Sequence, residues 1–313
     1  MMKKLSVLLF AIFMYIGAHA QDVDVRMETR LSFCNTGFKA ERLSLAVSGS
    51  FNEKWSFNFF QNLNKPIEPG DVLNATDKMF IRYAPDPAWT FQFGKMPLAI
   101  GSWEYDAFPI DVYYYTYYID NYMSPFQIAI SGQYNFRNGK DAVQFQFARS
   151  PLAEVGDYRM FSYNLMWNGI HGPLHFLYSA NVEQFNGGYR CLACLGTKLT
   201  LDRFSAYVDL SGARFSNFGS GMIHSATACT RLDWQIIPKL STFAKFTADR
   251  DRDIYEGVKF GGGFEFFPVK GSRDVRIHIQ IHRENSNAAH ATLASAGAKW
   301  NFHIYRKNAE EKK

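Results

Sequence analysis

Val275-Arg276-Ile277-His278-Ile279-Gln280-Ile281-His282 alternates apolar and polar residues without a break. In an extended chain successive side chains leave opposite faces, so four aliphatic groups share one side and Arg276, His278, Gln280 and His282 share the other. The pattern recurs along the sequence. Val143, Phe145 and Phe147 stand against Gln144 and Gln146, and Leu43, Leu45 and Val47 against Arg42, Ser44 and Ser48. Val23, Val25, Met27, Leu31 and Phe33 stand against Asp24, Arg26, Glu28, Arg30 and Ser32. One face is fully apolar and the other densely polar or charged, as expected of half-buried strands.

Sixteen strands follow from this reading, near 24–34, 38–51, 54–63, 77–85, 88–95, 126–136, 141–149, 159–169, 172–182, 189–201, 203–214, 224–237, 239–249, 257–267, 273–284 and 291–305. Many are long enough to cross a bilayer when tilted, whereas strands in soluble sandwiches run nearer five or six residues. Their links alternate in length. Short turns lie at Asn52-Glu53, Pro85 to Pro87, Arg137 to Lys140, Gly169 to Gly172, Asp202, Pro238 and Pro268 to Ser272. Longer links are expected at 64–76, 96–125, 150–158, 183–188, 214–223, 250–256 and 285–290; the first link, Asn35 to Gly37, is short where the scheme wants a long one. Short turns on one rim and longer loops on the other mark a transmembrane antiparallel β-barrel of the outer-membrane kind. Trp55, Trp89, Tyr134, Trp234, Trp300 and Phe302, near strand ends on the apolar face, read as interfacial girdles. A secreted lectin-like sandwich would have to bury the charged faces unpaired, at prohibitive cost.

The all-β expectation sits within bounds set by composition. Of the 313 residues, 47% are apolar and 17% aromatic, with 29 Phe and 17 Tyr, which excludes a disordered chain. No apolar run is long enough for a membrane-spanning helix. Lys3 and Lys4, the apolar run Leu5 to Ile16 and the small-x-small Ala18-His19-Ala20 form a signal peptide over 1–20. Its removal would lower the formal charge from +5 to +3, so nucleic acid is not an expected partner. The barrel is expected over 21–305, with a polar tail over 306–313. Cys191 and Cys194 make a CxxC, but an offset of three along a strand points them to opposite faces, unfit to clamp one metal. No metal or other cofactor is expected.

Sixteen strands enclose a lumen wide enough for water. Parity assigns it Arg26, Arg30, Arg42, Lys78, Arg82, Arg190, Lys198, Arg231, Lys245, Lys259, Arg276 and Lys299, against Asp22, Asp24, Glu28, Glu183, Asp209, Asp233, Asp249, Glu265 and Glu284. This slight basic excess predicts either a modest anion preference or simply a hydrated, mutually braced wall. The longest link, 96–125, is too aromatic to be disordered and is expected to fold into the lumen and narrow it. Lys95 stands at its root, and it carries Glu104, Asp106, Asp111 and Asp120 toward the narrowest point. Its tyrosines, Tyr114 and Tyr117 among them, would either stack on sugar-like solutes or pack the segment against the wall or a neighbouring subunit.

Phe91-Gln92-Phe93-Gly94-Lys95, the Gly-x-x-Glu-Tyr of Gly101 to Tyr105, and Ala142 to Ala148 followed by Arg149-Ser150-Pro151, with a signal ending in Ala-Gln, resemble the phosphate-selective porin O/P family, particularly its Bacteroidota members. The resemblance implies a sixteen-stranded porin, trimeric, with its third loop folded inward and anions among its solutes. Phosphate-selective members carry basic residues on the constriction loop; here 96–125 contains no Lys or Arg. High-affinity phosphate binding is therefore not expected, since nothing on the loop could replace the hydration of an anion with charged donors. The expectation is a passive, water-filled outer-membrane channel for small hydrophilic solutes or inorganic anions, embedded in outer-membrane lipid as a homotrimer. A sugar-preferring channel and a non-conducting structural or receptor barrel are the alternatives. Catalysis is not expected: there is no Gly-x-Ser-x-Gly elbow, and the strand histidines fall on the lumen side.

Overall fold

A computed structural model describes residues 20–35, 37–66, 73–122, 125–154, 157 and 159–307. The sixteen strands are β1 (Asp22–Cys34), β2 (Gly37–Ser50), β3 (Trp55–Asn62), β4 (Thr76–Tyr83), β5 (Trp89–Pro97), β6 (Phe126–Asn135), β7 (Asp141–Arg149), β8 (Phe161–His171), β9 (Leu174–Phe185), β10 (Gly188–Thr200), β11 (Phe204–Phe215), β12 (Ser225–Ile237), β13 (Leu240–Asp251), β14 (Tyr255–Phe266), β15 (Val275–Ser286) and β16 (His290–Lys307). Each pairs antiparallel with its sequence neighbours, and β1 pairs with β16 to close the barrel. Closure leaves no strand edge, so every ladder hydrogen bond is made within the sheet, as hydrocarbon requires.

The side-chain distribution is that of a soluble protein turned inside out. Ile279 is 58% exposed on the outer face while its neighbour His278, on the inner face, is 1% exposed. Trp89 and Tyr134 pack as a cross-strand pair near the rim that carries the chain ends, as do Trp55 and Tyr83. Among the cysteines, Cys191 is exposed on the outer face and Cys194 buried on the inner, and all four are free thiols.

Three of the links expected to be long are tight turns, at 186–187, 252–254 and 287–289. The alternation runs further than the charged residues at the strand ends suggest. Gly187 (φ 88°) and Arg252 (φ 48°) then reverse the chain within two or three residues. The wall at β9–β10 and β13–β16 is consequently low, and the longer loops rise from the β3–β8 side and from β11–β12. At the C-terminus β16 continues through Arg306 and Lys307, assigned to the tail by sequence, because Val23 of β1 pairs with Lys307. The signal peptide up to residue 19 and the tail from residue 308 lie outside the described residues.

Gly94 in β5 has φ 128°, and a Cβ there would fall 2.3 Å from the Met79 carbonyl oxygen of β4. Gly94→Ala should therefore cost about 2 kcal/mol or more, read as a lowered urea or thermal midpoint of the folded barrel in detergent. Gly132→Ala, whose added Cβ meets only the Phe91 ring at 3.5 Å, should be tolerated.

Candidate functional site

The link between β5 and β6 does not project outward; it hydrogen-bonds to inner-face side chains around most of the barrel. Its first residues run along β7 to β9. Ala99 N–H donates to Gln146 Oε1 at 2.9 Å, its carbonyl accepts from Asn181 Nδ2 at 2.9 Å, and Gly101 N–H donates to Ser179 Oγ at 2.9 Å. Gly101 allows this approach, since a Cβ would sit 2.5 Å from the Leu177 carbonyl oxygen. A single helical turn, α1 (Trp103–Asp106), follows, with Ser102 as N-cap. Asp209 on β11 accepts from Ser102 Oγ (2.9 Å), Trp103 N–H (2.9 Å) and Glu104 N–H (2.8 Å), so one carboxylate satisfies the backbone donors at the helix start.

Beyond α1 the segment crosses to the opposite arc. Arg30 on β1 donates to the carbonyls of Ile110 (3.0 Å) and Val112 (2.8 Å). Tyr113 OH donates to Glu265 Oε1 at 2.7 Å and Tyr114 OH to the Lys245 carbonyl at 2.6 Å. A second short helix, α2 (Tyr117–Tyr122), then leads back toward β6.

Three acids of the segment pair with wall cations. Glu104 meets Lys245, both buried, and also accepts from Thr116 N–H (3.0 Å) and Oγ1 (2.8 Å). Asp111 meets Arg276 and lies 3.5 Å from Lys299, which itself reaches Glu265 at 2.5 Å. Asp120 meets Lys259 at 3.6 Å. A buried ion pair repays its desolvation only when extra hydrogen bonds complete the shells, and Glu104 has them. The tyrosines reinforce the attachment. Tyr113 stacks on Phe243 (5.0 Å, 3°) beneath the Lys299 ammonium, Tyr114 on His282 (4.5 Å) and Tyr117 on Tyr255 (3.7 Å). Their faces are thus occupied by the wall.

These contacts revise what the strand periodicity suggested. Lys245 and Lys299 point inward as parity requires, but the segment covers them, so they do not line open space. Glu104 is likewise buried, rather than presented at a constriction. Arg231 is held by Asp233 (2.8 Å) and donates to the Asp111 carbonyl (3.0 Å). The remaining cations expected in the lumen, Arg26, Arg42, Lys78 and Arg82, lie on β1, β2 and β4, with Lys198 on β10. Arg26 pairs with Asp24 (3.1 Å), and Arg42 is 3.9 Å from Asp77. Lys78, Arg82 and Lys198 have no ion pair within 4.0 Å among the described residues. Burial raises the Asp106 carboxyl above its ordinary value, against the pull of Lys78 and Lys198.

Two cavities flank the segment. One of about 1060 Å³ is lined by Arg42, Asp77, Lys95, Tyr115 and Asp120, and one of about 520 Å³ by Asp106, Phe108, Lys198 and Arg231. Ala107 borders both, so the segment divides the interior near that residue. Lys95 is buried and donates to the Leu73 carbonyl at 2.6 Å. Glu41, which pairs with Arg30 at 2.6 Å, and Asp77 were missed by parity. Register shifts beside Arg30 and beside Phe60 turn these neighbouring residues inward, and strict alternation carries no sign of such a bulge.

The family model for phosphate-selective porin O and P matches residues 13–165. The fold is similar to an anion-selective porin from Comamonas acidovorans (TM-score 0.64, 10% identity, covering 90% of this chain and 99% of that one). It is also similar to the outer membrane channel DcaP of Acinetobacter baumannii (0.63, 11%, 91% and 98%) and to OmpT of Vibrio cholerae, solved in a trimer form (0.61, 11%, 90% and 99%). No curated protein sequence matches the chain at a significant level.

Glu104→Gln should leave the Lys245 charge buried without its counter-ion and destabilise the barrel by about 3–5 kcal/mol, read as a lowered thermal midpoint in detergent. Glu104→Leu with Lys245→Met, which removes both charges, should recover much of that loss.

Proposed function

We propose that this barrel, which resembles the phosphate-selective porin O and P family, is an outer-membrane porin: a passive, water-filled channel, not a catalyst, with a weak preference for small anions. The observation that carries the preference is the pairing of the segment's acids. Glu104, Asp111 and Asp120 are each committed to a wall cation on β13 to β16, so they contribute little negative potential to a permeating ion. The cations of β1, β2 and β4 face the segment's other side, where Asp106 is its remaining carboxylate. The solute path then runs past Ala107 along this basic arc. Rings or arcs of charge bias ion passage, and screening at physiological salt confines that bias to about 8 Å, so a narrow path keeps it and a wide one loses it.

Nothing on the segment offers an anion several charged donors at once, so the reading is general diffusion rather than tight phosphate capture. The seated tyrosines argue against a sugar-stacking channel. The solved trimer form of OmpT supports a trimer here as well.

In planar bilayers under a KCl gradient the refolded mature protein should open in steps, with a zero-current potential of the sign given by chloride passing faster than potassium. Replacing Arg42 and Lys78 by Gln should move that potential toward potassium; an unchanged potential would remove the basic arc from the path. Lowering the pH should strengthen anion preference first through Asp106, whose raised carboxyl gains its proton above the pH of a free aspartate and so loses its charge earlier. Asp106→Asn should abolish that upper part of the titration.

A further inference from the structure

The outer wall carries one feature that a channel does not use. Arg214 on β11, Arg250 on β13 and Arg283 on β15 are exposed and outward-facing, each opposite an outward residue of the next strand: Cys191, Ala226 and Phe260 respectively. None of the three has an ion pair within 4.0 Å among the described residues; Glu256 lies directly across from Arg250 but does not reach it. All three stand near the strand ends away from the termini, which is the cell-surface rim if short turns face the periplasm.

The register places them in a row. Gly212 pairs with Ala226, and Ala226 with Arg250, while the line through Arg250 and Glu256 passes beyond Ser286 at the end of β15. That line therefore climbs toward the rim from strand to strand, and a tilt of roughly 40° brings the three residues to nearly one height, with Cα atoms about 13 Å apart. A charged side chain facing hydrocarbon is tolerated only near the interface, where it can reach a headgroup. Beside Arg250 the wall is also hollow. A groove of about 770 Å³ has Ala226, Ala228, Ala248 and Val258 among its lining, with Arg250 and His290 also on it. Small outward side chains there leave space for an acyl chain directly below a guanidinium.

We infer that this row is a binding site for phosphorylated lipid of the outer leaflet, with phosphate held between neighbouring arginines and an acyl chain laid in the alanine-floored groove. Arginine suits this role because its fork donates two parallel charge-assisted hydrogen bonds to phosphate oxygens. The inference rests on insertion in the outer membrane, not on conductance, so it can fail while the channel reading stands.

The test uses the folded full barrel in detergent, incubated with phosphorylated lipid A or its dephosphorylated form, separated by size exclusion and measured for retained lipid. The native protein should retain phosphorylated lipid, and R214Q/R250Q/R283Q should retain at least ten-fold less at unchanged single-channel conductance and unchanged heat-modifiable gel migration. Excess inorganic phosphate should not displace the lipid, because it lacks the chain that fills the groove. Equal retention by the triple variant overturns the inference, as does equal retention of dephosphorylated lipid. Loss of oligomer by the triple variant with lipid retention intact would assign the row to a subunit contact instead and overturn it too.

Discussion

A peptide group in hydrocarbon has no water to bond, so a sheet that spans a bilayer must leave none of its groups unpaired. The pairing of β1 with β16, from Val23 opposite Lys307 to Cys34 opposite Ser295, meets that demand, and much else follows from it. Once the sheet is closed, every strand has a lipid face and an enclosed face. The aliphatic and aromatic side chains must then point outward and the polar ones inward. The enclosed face collects so many ionisable groups that their mutual neutralisation becomes the second structural problem.

The segment between β5 and β6 is part of the answer to that problem. Its carboxylates reach wall cations that would otherwise lie unpaired in a narrow, poorly hydrated space, and those cations fix where the segment lies. Asp209 at the start of α1 and the Glu104–Lys245 pair hold its two ends of travel, and the stacked Tyr113, Tyr114 and Tyr117 fill the space between. Attraction of this kind is one-sided. It draws the segment toward β7 to β16 and leaves the arc of β1, β2 and β4 facing whatever passes. The same charges that brace the barrel therefore also set the path's position and its electrostatic sign.

The architecture was legible because the period of two and the spacing of turns are local properties, printed in each strand. Strand number, the antiparallel order and the opposed faces of Cys191 and Cys194 could all be read from alternation. Glu41 and Asp77 could not, because a one-residue bulge reverses parity and depends on how two strands pair. The burial of Lys245 and Lys299 was equally invisible: parity tells which way a side chain points, not whether a loop from the other side of the barrel covers it. The tight turns after β9, β13 and β15 show a related limit, since polar residues at a strand end look the same whether the strand continues above the bilayer or gives way to a loop.

That last ambiguity bears on how the outer surface works. Where β13 to β16 end in turns of two or three residues, the wall is low and its upper side chains lie at the headgroup level instead of under a canopy of loops. Arginines placed there on alternate strands avoid both the hydrocarbon and one another, since the intervening strand keeps them apart. A single arginine at that height would be an ordinary interfacial side chain. Three at one height beside a groove floored with alanine form a surface whose charge and shape complement the same molecule, a lipid with an anionic head. The interior and exterior of the barrel thus use cations differently: inside they are mostly matched with acids of the chain itself, and outside they are left for the membrane to match.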